Sequence, residues 1–113
     1  MDNKLANEEL ETTILFLRNL NEKLKEVAEY YYENNLIEGN SNIINIIDDF
    51  NIIISGANNI FYKKYDSEAF NSLIGQLFEA MESQDNILIG DVITYEFVPI
   101  ISKLAENFEE QIE

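Results

Sequence analysis

The chain has 113 residues, with 22 Asp and Glu against 7 Lys and Arg, and neither cysteine nor histidine. That length fits one domain, and a net charge of −15 repels phosphate backbones and anionic membranes alike. Without Cys and His, disulfides, thiolate zinc sites, Cys nucleophiles and His bases are excluded together.

One proline and four glycines leave little material for loops, which favours helices over strands. The first segment is expected from about Asn3 to Asn35. Leu10, Ile14, Leu17, Leu24, Ala28 and Tyr31 recur at steps of four and three, with Asn21 filling the gap, and Leu20 and Val27 widen the stripe. That spacing makes one apolar helix face. Asn34, Asn35 and Gly39 offer a stop.

The second segment is expected from about Ser41 to Tyr62. Ile43, Ile46, Ile47, Phe50, Ile53, Ile54, Ala57, Ile60 and Phe61 share a face. The isoleucines favour strand, but the length and the 3.6-residue period favour helix. The third segment starts with Asp66 as cap, buries Phe70, Leu73, Ile74, Leu77 and Met81, and ends near Gln84. The fourth is capped by Asp85 or Asp91 and buries Ile93, Phe97, Ile100, Ile101, Leu104, Phe108 and Ile112. Pro99 lies inside that pattern. It removes a hydrogen bond to the Tyr95 carbonyl and predicts a kink.

Four amphipathic segments with short connections predict an all-α, up-down-up-down four-helix bundle with a proline kink in the last helix, forming a single domain over 1–113. The start at Met1-Asp2 has neither a basic nor an apolar leader pattern, so the expected location is the cytoplasm. The apolar run from Ile43 to Ile54 is broken by Asn45, Asp48 and Asp49, which makes a membrane span untenable.

Catalytic patterns are lacking. Glycines 56, 75 and 90 are isolated, so no phosphate-binding loop forms. Glu79 with Glu82, or Asp48 with Asp49, offers carboxylates for a weakly held cation, but a solvated acidic face is by far the better explanation. The expectation is a protein without enzymatic activity, cofactor or metal.

Several apolar residues fall outside the core stripes. Ile52 projects opposite the stripe of the second segment and Ile44 flanks it. Leu88, Val92 and Tyr95 form a second stripe on the fourth. Either the kinked last helix is central and buried all round, or these five are the candidate partner-binding residues, for a protein partner or for self-association as a homodimer.

The run Leu88-Ile89-Gly90-Asp91-Val92-Ile93-Thr94-Tyr95-Glu96-Phe97-Val98-Pro99 has an Asp, an apolar pair, Tyr-Glu and a closing Pro. It resembles the end of an uncharacterised family of small acidic helical proteins from Gram-positive bacteria. Asp48-Asp49-Phe50 is similar to an acidic-aromatic turn of that family. The resemblance covers about the last two thirds of the chain. It implies a helical fold and a bacterial origin, and no activity.

By analogy of size and charge, the expected function is an adaptor or a secretion or flagellar export chaperone that holds an amphipathic helix of a client. The alternative is an acidic nucleic-acid mimic that blocks a DNA-binding protein. Direct binding of nucleic acid is not expected in either case.

Overall fold

The computed structural model describes residues 3–61 and 67–112, with side chains described over 7–52 and 71–112. Among these residues every element is helical. They are α1 (Asn3–Tyr32), α2 (Leu36–Phe61), α3 (Ser67–Glu82), α4 (Asn86–Val92), a π-helical turn (Ile93–Phe97) and α5 (Val98–Glu109). The Asp66 cap and the expected buried side chains at 53–61 and at Phe70 lie outside the described side chains.

The stripe read along the first segment is the core-facing side of α1. Leu10, Ile14, Leu17, Leu20, Leu24, Val27, Ala28 and Tyr31 are all buried, and so is Asn21. At about 1.5 Å per residue, 30 residues make a rod of roughly 45 Å, close to the 48 Å long axis of the molecule. α1 packs against α2, α4, the π turn and α5, whereas α3 packs against α4 and the π turn. Paired residues rise along one helix as they fall along the other. Tyr32 bonds Asp91, Asn21 bonds Ser102 and Arg18 pairs with Glu109, so the last helical stretch runs antiparallel to α1.

Two reversals of the same design shape the chain. Asn34 and Gln84 have φ of 63° and 58°, the left-handed conformation that ends a helix. At the first, Asn34 N donates to the Tyr31 carbonyl and Asn35 N to the Tyr30 carbonyl. At the second, Gln84 N donates to the Met81 carbonyl and Asp85 N to the Ala80 carbonyl. In each case the next residue opens the following helix. Asn35 Oδ1 accepts from Glu38 N at 3.4 Å and Asp85 Oδ1 from Leu88 N at 3.0 Å, each satisfying an otherwise free donor. Asp85 is therefore the cap, and Asp91 serves elsewhere. An Asn34–Asn86 side-chain hydrogen bond ties the two reversals together at one end of the molecule.

Gly39 is not a stop. It lies in the first turns of α2, beneath the ring of Tyr31; a Cβ there would sit 2.9 Å from the ring's Cζ. The Tyr31 hydroxyl donates to Asn40 Oδ1 at 2.6 Å. Tyr32 repeats the arrangement on α4. A Cβ on Gly90 would lie 2.6 Å from its ring, and its hydroxyl donates to Asp91 Oδ1 at 2.7 Å. Two neighbouring tyrosines thus hold two different helices, each by a ring on a glycine and a hydroxyl on the polar residue that follows it. Burial pushes the Tyr31 phenol from 10.0 up to about 12. Burial also raises that of Tyr32; the Thr94 hydroxyl opposes this and the Asp91 carboxylate adds to it.

Pro99 falls in the first turn of α5, directly after the π turn, where Val98 N bonds the Ile93 carbonyl five residues back. A π turn shifts the hydrogen-bond register by one residue, and it stands where the expected loss at Tyr95 was read. Asn21 meets the same junction from α1, donating to the Val98 carbonyl at 3.2 Å and to Ser102 Oγ at 2.8 Å. Nearby, Leu24, Ile43, Ile46, Ile47, Phe50, Phe97 and Ile101 enclose a void of only about 10 Å³, at the lower limit for one water.

Gly75, by contrast, has open space where a Cβ would go. Gly75→Ala is expected to raise stability by up to about 1 kcal/mol through helix propensity. Gly39→Ala gains the same term but crowds a fully buried ring, so a net loss of about 1–3 kcal/mol is expected. Gly90→Ala is expected to break the Tyr32–Asp91 bond. Thermal unfolding of the three variants orders them; a stabilised Gly39→Ala would contradict the packing.

A tyrosine with a raised folded pKa holds its proton more tightly when folded. Its contribution is complete below pH 10.0 and is lost as pH climbs towards about 12. The unfolding midpoint should therefore fall over that window, and less steeply in Tyr31→Phe. Ionisation of Tyr31 near pH 10 with helicity intact would count against its burial.

Candidate functional site

Four of the five expected partner-binding residues reach solvent. Ile44, Ile52, Leu88 and Tyr95 are 44%, 70%, 45% and 70% exposed. Val92 is a correction: it is buried in the core, because the π turn after it and α3 against α4 place it inside the packing. Ile44 and Ile52 stand on α2, whereas Leu88 and Tyr95 stand on the last helical stretch, so these residues come from two separate helices. Asp91 accepts a hydrogen bond from Tyr32 on α1.

A different set of residues gathers where the two reversals meet. Among the described residues α2 packs on α1, and α3 on α4 and the π turn, but α2 and α3 do not pack against one another. At the end where the two reversals meet, a cleft of about 220 Å³ opens between them. It is lined by Leu36 and Asn40 of α2, Met81 at the end of α3, Gln84, Asn86 and Ile89. Helical spacing extends both walls. Ile44 is one turn beyond Asn40 and Phe78 one turn before Met81, on the same faces of their helices. Phe78 is 41% exposed and Leu36 37%, and Ile74 and Met81 are half-buried at the core's edge. The amphipathic pattern of α3 marked Ile74 and Met81 as core. Phe78 was overlooked because it adjoins the core stripe without belonging to it.

The cleft is smaller than the roughly 300–1,000 Å³ of a small-molecule site. It has room for an anchoring side chain rather than a buried metabolite. Asn86 Oδ1 is buried at its edge without a partner, so it can accept one hydrogen bond from an occupant.

A second and larger hollow, about 410 Å³, lies between α1 and α2. Its walls are Glu26, Glu38, Asp49, Lys23, Asn42, Asn45 and Tyr30, over a floor of Val27 and Ile46. Tyr30 therefore faces this hollow, while Tyr31 and Tyr32 serve the packing. Among the described residues no group of three carboxylates is placed to hold a metal ion; Asp48 is exposed and Asp49 half-buried on the next face. Nor is any helix of the described residues long and apolar enough to cross a membrane.

Comparison with known proteins gives one match. The model of a family described as a domain of unknown function, DUF8042, matches residues 8–107, a span that includes both reversals, both tyrosine contacts and the cleft. No curated protein and no solved structure matches the chain. An uncharacterised family was what the 88–99 run pointed to, and the chain belongs to the DUF8042 family.

Proposed function

We propose that this protein is a non-enzymatic interaction module, an adaptor or export chaperone working in the cytoplasm, that seats an amphipathic helix of a partner protein between α2 and α3. The observation that carries this reading is the cleft itself. Among the described residues two helices of the chain stand apart, with Leu36 and Met81 lining the opening and the exposed Ile44 and Phe78 further along the same helices. Exposed apolar side chains at helical intervals on two facing walls accept a third helix through its i, i+3 and i+4 positions. The architecture that goes with it is a single up-down-up-down bundle, bent where the π turn meets Pro99. The antiparallel pairing of α1 with the last helical stretch supports that order of directions.

Leu88 and Tyr95 belong to this reading as a secondary surface. Large aromatic and aliphatic side chains at solvent suit a protein contact, and the last helix offers them away from α2.

The second reading is a nucleic-acid mimic, favoured by the hollow between α1 and α2, where Glu26, Glu38 and Asp49 line one side of the molecule. A mimic would displace DNA from a basic DNA-binding protein, an effect abolished by salt, and would not depend on Ile44 or Phe78.

Site-specific photo-cross-linking in cells separates the two readings. A cross-linker at position 78 or 44 is expected to give one discrete adduct, mapping to a helical segment of the partner, whereas a cross-linker at Leu15, which is 62% exposed on α1, gives none. Equal labelling at 15, 44 and 78 would contradict a helix-binding cleft. Adducts confined to position 26 or 49, on a DNA-binding protein, would replace it with the mimic.

A further inference from the structure

The helices that wall the cleft differ in charge from α1 and α5, which carry the cations of the described helices. No Lys or Arg occurs between Lys25 and Lys63, or between Lys64 and Lys103. Both cleft helices therefore lack cations throughout. α2 carries Glu38, Asp48 and Asp49, and α3 carries Glu68, Glu79 and Glu82. The described ion pairs, Arg18–Glu109 and Lys25–Glu22, lie on α1 and α5, away from the cleft. Asp48 is one turn beyond Ile44 on α2, and Glu82 one turn beyond Phe78 on α3. Both are exposed. Each apolar wall is thus edged by a carboxylate with no cation on its own helix to neutralise it.

Resting on the helix-binding reading, we infer that the occupant is a cationic amphipathic helix. Its apolar face enters between Ile44 and Phe78, and Lys or Arg side chains on its two flanks meet Asp48 and Glu82. A second copy of this chain is the poorer occupant. Each copy has a charge of −15, so pairing two such surfaces sets carboxylates against carboxylates with no cation to relieve them. An anionic or neutral helix would leave the two rims facing water or like charge. A cationic one gains attraction on both flanks, and the long-range field also speeds its approach.

The charge pattern also orders what the cleft rejects. Opposed like charges at an interface are a means of excluding partners as well as selecting them. A polycation without an apolar face would meet the rims but leave Ile44 and Phe78 in water. Selectivity therefore needs both features in one segment, with cations flanking the apolar stripe rather than opposite it.

The test is titration of the full chain with three labelled peptides of about five helical turns, followed by fluorescence anisotropy. The first has a Leu stripe flanked by Lys, the second the same stripe flanked by Glu, and the third the Lys peptide with its order scrambled. The Lys-flanked peptide is expected to bind at least tenfold more tightly than either other, and to weaken at least fivefold as salt is raised from low to physiological. Ile44→Ala with Phe78→Ala should weaken it at least fivefold, Asp48→Asn with Glu82→Gln likewise, and Leu15→Ala not at all. Helical content of each variant, read by circular dichroism, certifies that it is folded. Equal binding of the Lys- and Glu-flanked peptides would overturn the charge inference and leave helix binding standing. Equal binding of the scrambled peptide would overturn the cleft as its seat. Binding of none would overturn the helix-binding reading and this inference together, as would a stable dimer in sedimentation that Phe78→Ala dissociates.

Discussion

The fold depends on two tyrosine rings lying on two glycines. Tyr31 and Tyr32 are consecutive on α1, so their side chains leave the helix about 100° apart and reach different neighbours. Each ring comes so close to a helix backbone that a single Cβ would collide with it, and each hydroxyl closes on the next residue, Asn40 or Asp91. Apolar stripes alone let helices slide by a turn; a ring over a glycine with a hydrogen bond at its tip does not, because a one-residue slip breaks both contacts. α2 and the last helical stretch are thereby held to the same end of α1, next to the two reversals that the Asn34–Asn86 bond joins. Among the described residues α3 has no such tie to α1. It is carried by its own hairpin with α4, and the seam between α2 and α3 is where the packing stops.

Much of this was legible in the sequence for a physical reason. The α1 stripe was read completely, Asn21 included, because a long amphipathic helix repeats its burial signal over many turns. Gln84 was marked as the end of the third helix, and Asp85 as one of two caps, because the capping residues are local chemistry. Gly39 was misread because a glycine after two asparagines looks like a helix end, whereas its purpose is a contact made by a side chain eight residues earlier. Val92 was misread because the expected core stripe of the last segment began at Ile93, whereas the buried face of α4 already includes Ile89, one turn before Val92. The cleft was missed as a place, since a gap between two helices is a property of their partners and not of either sequence.

The same geometry ties function to charge. A bundle in which α1 packs against α2, α4, the π turn and α5 can leave α2 and α3 unpacked among the described residues without losing its core, because buried residues of α1, α2, the π turn and α5 gather around Phe50 and Phe97. The exposed apolar residues on α2 and α3 then stand on helices from which cations are absent, as they are from α4 and the π turn. On the proposed reading, hydrophobic area would give a partner helix its affinity, and the carboxylates would decide which helices are admitted.

The most direct measurement is amide and methyl NMR of the labelled protein while the Lys-flanked helical peptide is added. If the tyrosine contacts hold the framework and leave the α2–α3 seam for a partner, the shifts fall on Leu36, Ile44, Phe78 and Met81, with Gly39 and Gly90 unmoved. Shifts centred on the α1–α2 hollow at Tyr30 and Glu26, or spread over the whole bundle, would contradict it.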